Sequence, residues 1–369
     1  MLNTILNYFL LRKATPSLIE NILKKEKFTY TKNDINTLLK GNQKGTRYGN
    51  IILERNENGQ TVKRFLKVVL DGTWRTFTLF ERQVKISEML YRDPTYIAPT
   101  LNVLHSHLSH PVAYAIFETR ESGNDFGFMD DRKESYEQFT TKEIEKLVEA
   151  LFSFHQIGDH VDPTIWKYTR ALDFSKEYYV KKIHNLFAIR ITHKKENGDI
   201  VFDTVENIIK TYTNIKDPLK QTLSVFTENW KESARNKTYL VHGDMSLDNI
   251  YKHPHGEIEL LDFEWVSHTK NPLIALMYDY GNVRARAWSS PSFQTALDSR
   301  MLSIGKKYTD EATLQRGMTL GKLYYSLTMC RFHLDFTNTV KKDKRMEVEY
   351  FLMFPSSLHT LIDVIMHGK

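Results

Sequence analysis

The apolar residues of this 369-residue chain change their spacing partway along it, and that change limits the fold more than any other feature. Between Asn33 and Leu70 they come in short runs, Ile35–Leu39, Tyr48–Leu53 and Val62–Leu70, broken by turn residues at Gly41–Gly45 and Asn56–Gly59. This predicts a three-stranded antiparallel meander. Leu79, Phe80, Val84, Ile86, Met89 and Leu90 then repeat at helical spacing, predicting a helix over Phe77–Tyr91 that Pro94 and Pro99 bring to an end. Two more strands are expected at Leu101–Leu104 and Val112–Phe117, after which the Gly-, Ser-, Asn- and Asp-rich stretch Glu118–Phe128 reads as a boundary. Helical spacing dominates from there on, beginning with Thr141–Gln156, whose Ile144, Leu147, Val148, Leu151 and Phe152 share one face behind a Thr140 or Thr141 cap. The exceptions are Asn197–Asp199, a loop or small hairpin, and Tyr239–Val266. Strands first and helices afterwards make an α+β chain, and at roughly 150 residues per domain the length suits two or three lobes. The expected divisions are a helical extension over 1–27, a small sheet-based lobe over 28–120 and a larger, mostly helical lobe over 121–369.

Composition narrows the class. With 41% hydrophobic and 26% charged residues, 16 Gly and 10 Pro, the chain is neither collagen-like nor disordered. Its one cysteine, Cys330, has no partner for an intramolecular disulfide or a zinc knuckle, which fits a reducing, cytoplasmic setting. Leu2, Ile5, Leu6, Phe9 and Leu10 predict an amphipathic helix, docked on the protein or lying at a membrane interface. Asn3, Asn7 and Arg12-Lys13 keep it well short of the ~20 apolar residues of a membrane span, so no transmembrane segment is expected. The net charge is +6, but Lys and Arg are mixed with acids even around Lys341, Lys342, Lys344 and Arg345, so no nucleic-acid partner is expected. The residues imply no particular oligomeric state.

The chemistry concentrates in Tyr239-Leu-Val-His242-Gly243-Asp244-Met-Ser-Leu-Asp248-Asn249-Ile250-Tyr251, a turn at His253–Gly256, and then Ile258-Glu-Leu-Leu-Asp262-Phe263-Glu264-Trp265. A strand delivers His242 and Asp244 to a loop, and a hairpin then runs from Asn249 to Asp262. Two carboxylates and a side-chain carbonyl are hard oxygen donors of the kind that suit magnesium on nucleotide phosphates. Singly they would be ordinary hairpin-end residues; their joint spacing is what carries information.

His-x-Asp-x-x-x-x-Asn followed by Asp-Phe-Glu-Trp resembles the catalytic loop and metal-binding segment of the aminoglycoside phosphotransferase and choline kinase group. The resemblance implies a two-lobed protein-kinase-like fold, and ATP and Mg2+ as cofactors. It also implies an ATP-dependent transfer of the γ-phosphate to a hydroxyl of a small molecule such as an aminoglycoside, choline, ethanolamine or a sugar. Asp244 would accept the hydroxyl proton, Asn249 and Asp262 would hold magnesium with Glu264 assisting, and His242 would brace the loop. Asp279, in Tyr278-Asp279-Tyr280-Gly281, takes the place of a buried aspartate supporting that loop.

The meander supplies the remaining parts. Gly41 and Gly45 flank a turn whose backbone could approach phosphate, although a plain hairpin would look the same. Lys67, a lone cation in Phe65-Leu-Lys-Val-Val69, is either a solvent-facing strand lysine or the phosphate-contacting lysine of the family. Its expected partner is Glu81, with Gln83 (a hydrogen bond in place of the ion pair) and Glu88 as alternatives. Ala115–Arg120, including Glu118, resembles the strand entering the adenine-binding hinge. A macromolecule-directed kinase is disfavoured, because no Ala-Pro-Glu follows Trp265, and a catalytically silent regulator because Lys67, Asp244, Asn249 and Asp262 are all present. His105, His107 and His110 read as a solvated connection between strands. Between Asn282 and Lys369, 13 Lys and Arg stand against 8 Asp and Glu, which leaves a neutral or anionic acceptor open.

Overall fold

A computed structural model describes residues 12–40, 47–109, 111–119, 136, 138–194, 200–213, 215–231, 237–246, 249–339 and 357–367. The predicted helix at 2–10, Gly41, Gly45, His110, most of the 118–128 boundary, the 197–199 turn and the Lys341–Arg345 cluster lie outside these residues. The chain divides into two compact units: residues 1–127, 161–169 and 260–266 form the first, and 128–160, 170–259 and 267–369 the second.

In the first unit, helix α1 (Pro16–Lys25), strand β1 (Phe28–Thr29), helix α2 (Lys32–Lys40), strands β2 (Tyr48–Glu57) and β3 (Gln60–Val69), helix α3 (Trp74–Arg92) and strands β4 (Val103–His107) and β5 (Tyr114–Glu118) follow in order. They build a five-stranded antiparallel sheet ordered β1-β2-β3-β5-β4. The β2–β3 hairpin turns on Asn58 and Gly59, both at positive φ (53° and 83°), so Glu57 faces Gln60 across a two-residue turn whose twist matches the strands. Alternation along the strands sends Leu66, Val68, Tyr114 and Ile116 to a face covered by α1 and α2. It sends Val69, Ala113, Ala115 and Phe117 to the opposite face, against Phe77, Phe80 and Val84 of α3. Lys67 lies between Phe65 and Val69 on that second face.

Two sequence expectations are corrected here. Ile35–Leu39 is not a strand but part of α2. Asp34 accepts from the Thr31 N–H (2.7 Å) and Thr31 Oγ1 from the Asp34 N–H (3.3 Å), a reciprocal cap that starts a helix, and Ile35 and Leu38, three apart, form its buried stripe. The edge strand is β1 instead, pairing Phe28 with Arg55. Where α2 crosses β2, a Cβ on Gly49 would come within 2.3 Å of the Leu38 carbonyl oxygen, so only glycine allows the approach. His105 and His107 belong to β4 rather than to a connection. His107 stacks on Tyr114 (5.3 Å, 26°) and His105 Nε2 lies 3.6 Å from the buried Glu26, whose carboxylate accepts from the Tyr114 hydroxyl at 2.6 Å.

The second unit starts with α4 (Thr141–Ile157), closed at its N-terminus by a capping box between Thr140 and Glu143. Then come β6 (Arg170–Ala171), α5 (Lys176–Ala188), the hairpin β7 (Arg190–Lys194) and β8 (Ile200–Thr204), α6 (Val205–Tyr212) and α7 (Pro218–Asn229). Strands β9 (Tyr239–Val241), β10 (Ile250–Lys252), β11 (Ile258–Leu260) and β12 (Ser267–Thr269) follow, and after them helices α8 (Pro272–Arg286), α9 (Pro291–Gly305), α10 (Glu311–Thr339) and α11 (357–367). β10 and β11 pair as the expected hairpin, while β12 lies between β6 and β9. Helices α7, α8 and α9 each start with Pro after a capping Asp217, Asn271 or Ser290, where the missing N–H is harmless and the side chain satisfies a free amide. The core joins α5, α7, α8 and α10 through Tyr179, Phe187, Phe226, Leu273, Met277 and Leu320. Gly281 and Gly321 let α8 and α10 cross closely, since a Cβ on Gly281 would lie 2.7 Å from the Gly321 carbonyl oxygen.

Candidate functional site

In the first unit the site is built around Lys67. It is 6% exposed, and its ammonium group donates to Gln83 Oε1 and to Glu264 Oε1 (3.1 Å), lies 3.6 Å from Asp262 Oδ1, and sits 4.3 Å from the centre of the Tyr48 ring. Burial alone would push the Lys67 pKa down. The charges of Asp262 and Glu264 and the hydrogen bond that Glu264 accepts outweigh it and hold the pKa above the usual lysine value. Burial, joined by the like charge of Asp262, raises Glu264 against the pull of Lys67. Burial and the same two carboxylates raise Tyr48, so its hydroxyl stays protonated and donates to the Thr76 carbonyl at 3.2 Å.

The partner of Lys67 on α3 is therefore Gln83, not Glu81. Two residues apart on a helix is roughly 200° of rotation, so both side chains cannot face β3. Glu81 is partly buried with its pKa raised by that burial, against Lys85 and Lys167, and Glu88 pairs with Lys85 at 2.8 Å. Beside Gln83, Arg82 donates its Nε to the Tyr168 carbonyl and its Nη1 to the Glu264 carbonyl (2.8 Å), tying α3 to the short 3-10 turns Pro163–Tyr168 and Phe263–Trp265. Nothing in the sequence marked Arg82 for this. Glu118 ends β5 with an exposed side chain, and its N–H is engaged by the Asn102 carbonyl at 2.9 Å.

Asp262 adopts a left-handed conformation (φ 59°, ψ 64°), a conformation that disfavours L side chains, immediately before the Phe263–Trp265 turn. Its Oδ1 is buried yet accepts no hydrogen bond. Lys67, Asp262 and Glu264 together carry one positive and two negative charges. A bare carboxylate oxygen in a locally anionic setting is a fitting donor for a hard divalent cation. Among the described residues, no three His, Cys, Asp or Glu side chains gather as a complete metal cage.

In the second unit β9 leads into His242-Gly243-Asp244, with Gly243 at φ 81°. Asp279, on α8 and with no exposed surface, fixes this loop from below: its Oδ2 accepts from the His242 N–H (2.8 Å) and its Oδ1 from the Gly243 N–H (2.8 Å). His155, from the last turn of α4, lies with Nε2 2.9 Å from the same carboxylate and was not anticipated. The buried His242 imidazole accepts from the Asp244 N–H at 3.4 Å. Asn249 Nδ2 and the Ser246 N–H both donate to the Asp244 carbonyl (2.7 and 3.0 Å), and Asn249 is 7% exposed. Against this fully engaged framework, the Asp244 carboxylate itself is about a third exposed. Arg286 Nη2 lies 3.3 Å from it, and the Arg286 Nε donates to Asn282 Oδ1 at 3.0 Å. A pair this open to solvent is worth about 1 kcal/mol or less. Asp279, Asn282 and Arg286 stand at i, i+3 and i+7, one face of α8, which is the signal that could have exposed Arg286 beforehand.

No protein-family model matches this sequence, and no curated protein matches it. Solved structures do. APH(2")-IIia, in its complex with GDP and kanamycin, superposes with a TM-score of 0.51 at 11% identity, covering 88% of this chain and 91% of that one. Spectinomycin phosphotransferase APH(9)-Ia with ADP and spectinomycin (13% identity, 94% and 97% covered) and an ethanolamine kinase from Plasmodium vivax (14%, 96% and 96%) both superpose with a TM-score of 0.47. The fold is thus the two-lobed α+β, protein-kinase-like arrangement shared with APH(2")-IIia.

Proposed function

We propose that this chain is an ATP- and Mg2+-dependent phosphotransferase that moves the γ-phosphate to a hydroxyl of a small molecule, an aminoglycoside, choline, ethanolamine or sugar-like alcohol, with Asp244 as the base. The observation that carries the reading is the Asp244 loop. Among the described residues the loop is held through Asp279, His242 and Asn249, while the Asp244 carboxylate is about a third exposed and meets Arg286 at 3.3 Å. The likeness in fold to an enzyme solved with GDP and kanamycin supports it.

In this reading residues 28–120 bind the nucleotide, 1–27 are an added helical extension, and 121–369 carry the catalytic loop and the acceptor. Gly41 and Gly45, outside the described residues, are assigned to the phosphates only by the resemblance, Lys67 would neutralise them, and the strand ending at Glu118 would border the base. Asp262 of the first unit and Asn249 of the second are each, by the resemblance, candidate ligands for Mg2+, which when bound would neutralise charge on the phosphates; Glu264 keeps Lys67 charged and placed. The acceptor oxygen attacks the γ-phosphorus, its proton passes to the Asp244 carboxylate, and the bond to the bridging β–γ oxygen breaks with its electron pair leaving on ADP. A cytoplasmic setting fits the lone Cys330, and among the described residues no helix is long and apolar enough to cross a membrane.

The test is Mg2+-dependent ADP release by the purified chain against amino alcohols, aminoglycosides, sugars and nucleosides. Stimulation by one class should fall by about 10²- to 10⁴-fold in Asp244→Ala, the usual contribution of a general base. Equal turnover by variant and wild type sinks the proposal.

A further inference from the structure

We propose that Tyr48 is a positioning residue, whose ring holds the Lys67 ammonium by a cation–π contact and so leaves one of its N–H groups for a nucleotide phosphate. The phosphate is taken from the phosphotransfer reading, on which this rests; the groups that hold Lys67 all lie in the first unit. An ammonium has three N–H donors. Gln83 Oε1 and Glu264 Oε1 (3.1 Å) accept two of them, and Asp262 Oδ1, at 3.6 Å, stands outside hydrogen-bond reach of the third. The centre of the Tyr48 ring lies 4.3 Å from Nζ, attracting the charge without accepting a hydrogen bond. A hydrogen bond must be aimed at its acceptor, whereas the ring attracts the ammonium as a whole. Lys67 can therefore turn an N–H toward a phosphate oxygen without leaving the ring.

The strands and α3 hold the ring there. Tyr48 pairs with Val69 and Asn50 with Lys67, so Tyr48 and Lys67 are diagonal neighbours on one face of the sheet, a separation that an aromatic and a long side chain can bridge. The ring meets that of the buried Phe80 on α3 at 5.9 Å and 34°, and the hydroxyl donates to the Thr76 carbonyl at 3.2 Å. Burial, joined by the charges of Glu264 and Asp262, keeps that hydroxyl protonated, so the ring meets Lys67 as a neutral phenol rather than as a counter-ion. Asp262, by contrast, shares its charge with Mg2+ in the phosphotransfer reading, and its hold on Lys67 weakens as the nucleotide site fills. The hold of the ring does not.

The experiment separates the charge distribution of the ring from its bulk and from its hydroxyl. Tyr48→Phe keeps the ring and loses the Thr76 bond, and Tyr48→Leu keeps an apolar side chain and loses the ring. Pentafluorophenylalanine at position 48 keeps the shape of the phenyl ring but reverses the charge distribution over its face. Each variant is first shown to be folded by its cooperative thermal melt. Calorimetry then gives Kd for MgADP, which carries phosphates without reacting, and for adenosine, which carries none. Tyr48→Phe should stay close to wild type. Relative to it, Tyr48→Leu and the pentafluorinated ring should weaken MgADP by about 10-fold, the size of a cation–π contact in a desolvated site, and leave adenosine unchanged. Equal weakening of MgADP and adenosine, the mark of a residue that only steadies the unit, overturns the inference. So does a pentafluorinated ring that binds MgADP as tightly as Tyr48→Phe, or a Tyr48→Phe that loses as much as Tyr48→Leu. If the wild type binds no MgADP, the phosphotransfer reading itself fails and takes the inference with it.

Discussion

Lys67 touches two carboxylates, an amide and an aromatic ring, and the four neighbours differ in what their loss would do. Glu264→Gln removes the closest buried anion, leaving a buried ammonium facing Asp262 at 3.6 Å. It should lower the unfolding free energy by up to about 3 kcal/mol, at the low end of the range for breaking a buried pair because Glu264 is itself penalised by burial. Gln83→Ala removes a neutral acceptor and should lower it by about 1 kcal/mol. Urea unfolding of both variants checks the order, and a larger loss from Gln83→Ala contradicts it. Glu81 provides a pH test. Its folded pKa is raised by burial, so the folded chain binds the proton more tightly than the unfolded chain. Stability contributed by Glu81 therefore falls as pH climbs above the ordinary value of 4.5 toward the raised one, and Glu81→Gln should flatten that part of the stability curve. An unchanged slope would mean that the carboxyl is solvated.

At the scale of elements, α8 carries the loop. Asp279→Ala leaves the His242 and Gly243 N–H groups and His155 without their buried partner, which should cost about 3–5 kcal/mol and most of the turnover; Asp279→Asn should cost less. Gly281→Ala forces a methyl to within 2.7 Å of the Gly321 carbonyl oxygen and should cost about 1–3 kcal/mol through a displaced α8. Calorimetric melting separates the three variants. The elements that were legible beforehand announce themselves locally. Asn58-Gly59 is a hairpin turn by its own torsions, Thr140 and Glu143 cap a helix three residues apart, and the strand, loop and hairpin around Asp244 keep a fixed spacing. The misread element, α2, is a run of apolar residues too short for its period to decide between helix and strand, and the Thr31–Asp34 cap that settles it lies outside the run. Arg82 and His155 stayed hidden because their partners are far away in sequence. His155 meets Asp279 across 124 residues and Arg82 meets Glu264 across 182. For the choice between Glu81 and Gln83, the chemical preference for a carboxylate pointed one way and the helix angle the other, and the angle won.

For the whole molecule, spacing alone pointed to a strand-rich first part and a helix-rich remainder, whereas the joining of 161–169 and 260–266 to the first unit had no signal in the sequence. In the functional reading the two units contribute different things, and ligand linkage can tell them apart. MgATP at about 100 times its Kd should stabilise the chain by about 2.7 kcal/mol, and chelating Mg2+ should remove much of that shift. Asp262→Asn should lose the Mg2+-dependent part, while Asp244→Ala keeps it despite losing turnover. A thermal shift in Asp262→Asn equal to wild type, with and without chelator, would remove Asp262 from the metal.

The lysine's charge partner has one further consequence. In protein kinases that partner sits on the helix, so displacing the helix disarms the lysine. Here the helix gives Lys67 only a neutral amide, while the counter-charge comes from the Phe263–Trp265 turn that Arg82 fastens to α3. Swinging α3 outward would break little electrostatics at Lys67 and would have to tear Arg82 from two carbonyls first. The helix is thus held as a fixed wall rather than a lever, because moving it would cost the Arg82 hydrogen bonds without removing the counter-charge of Lys67.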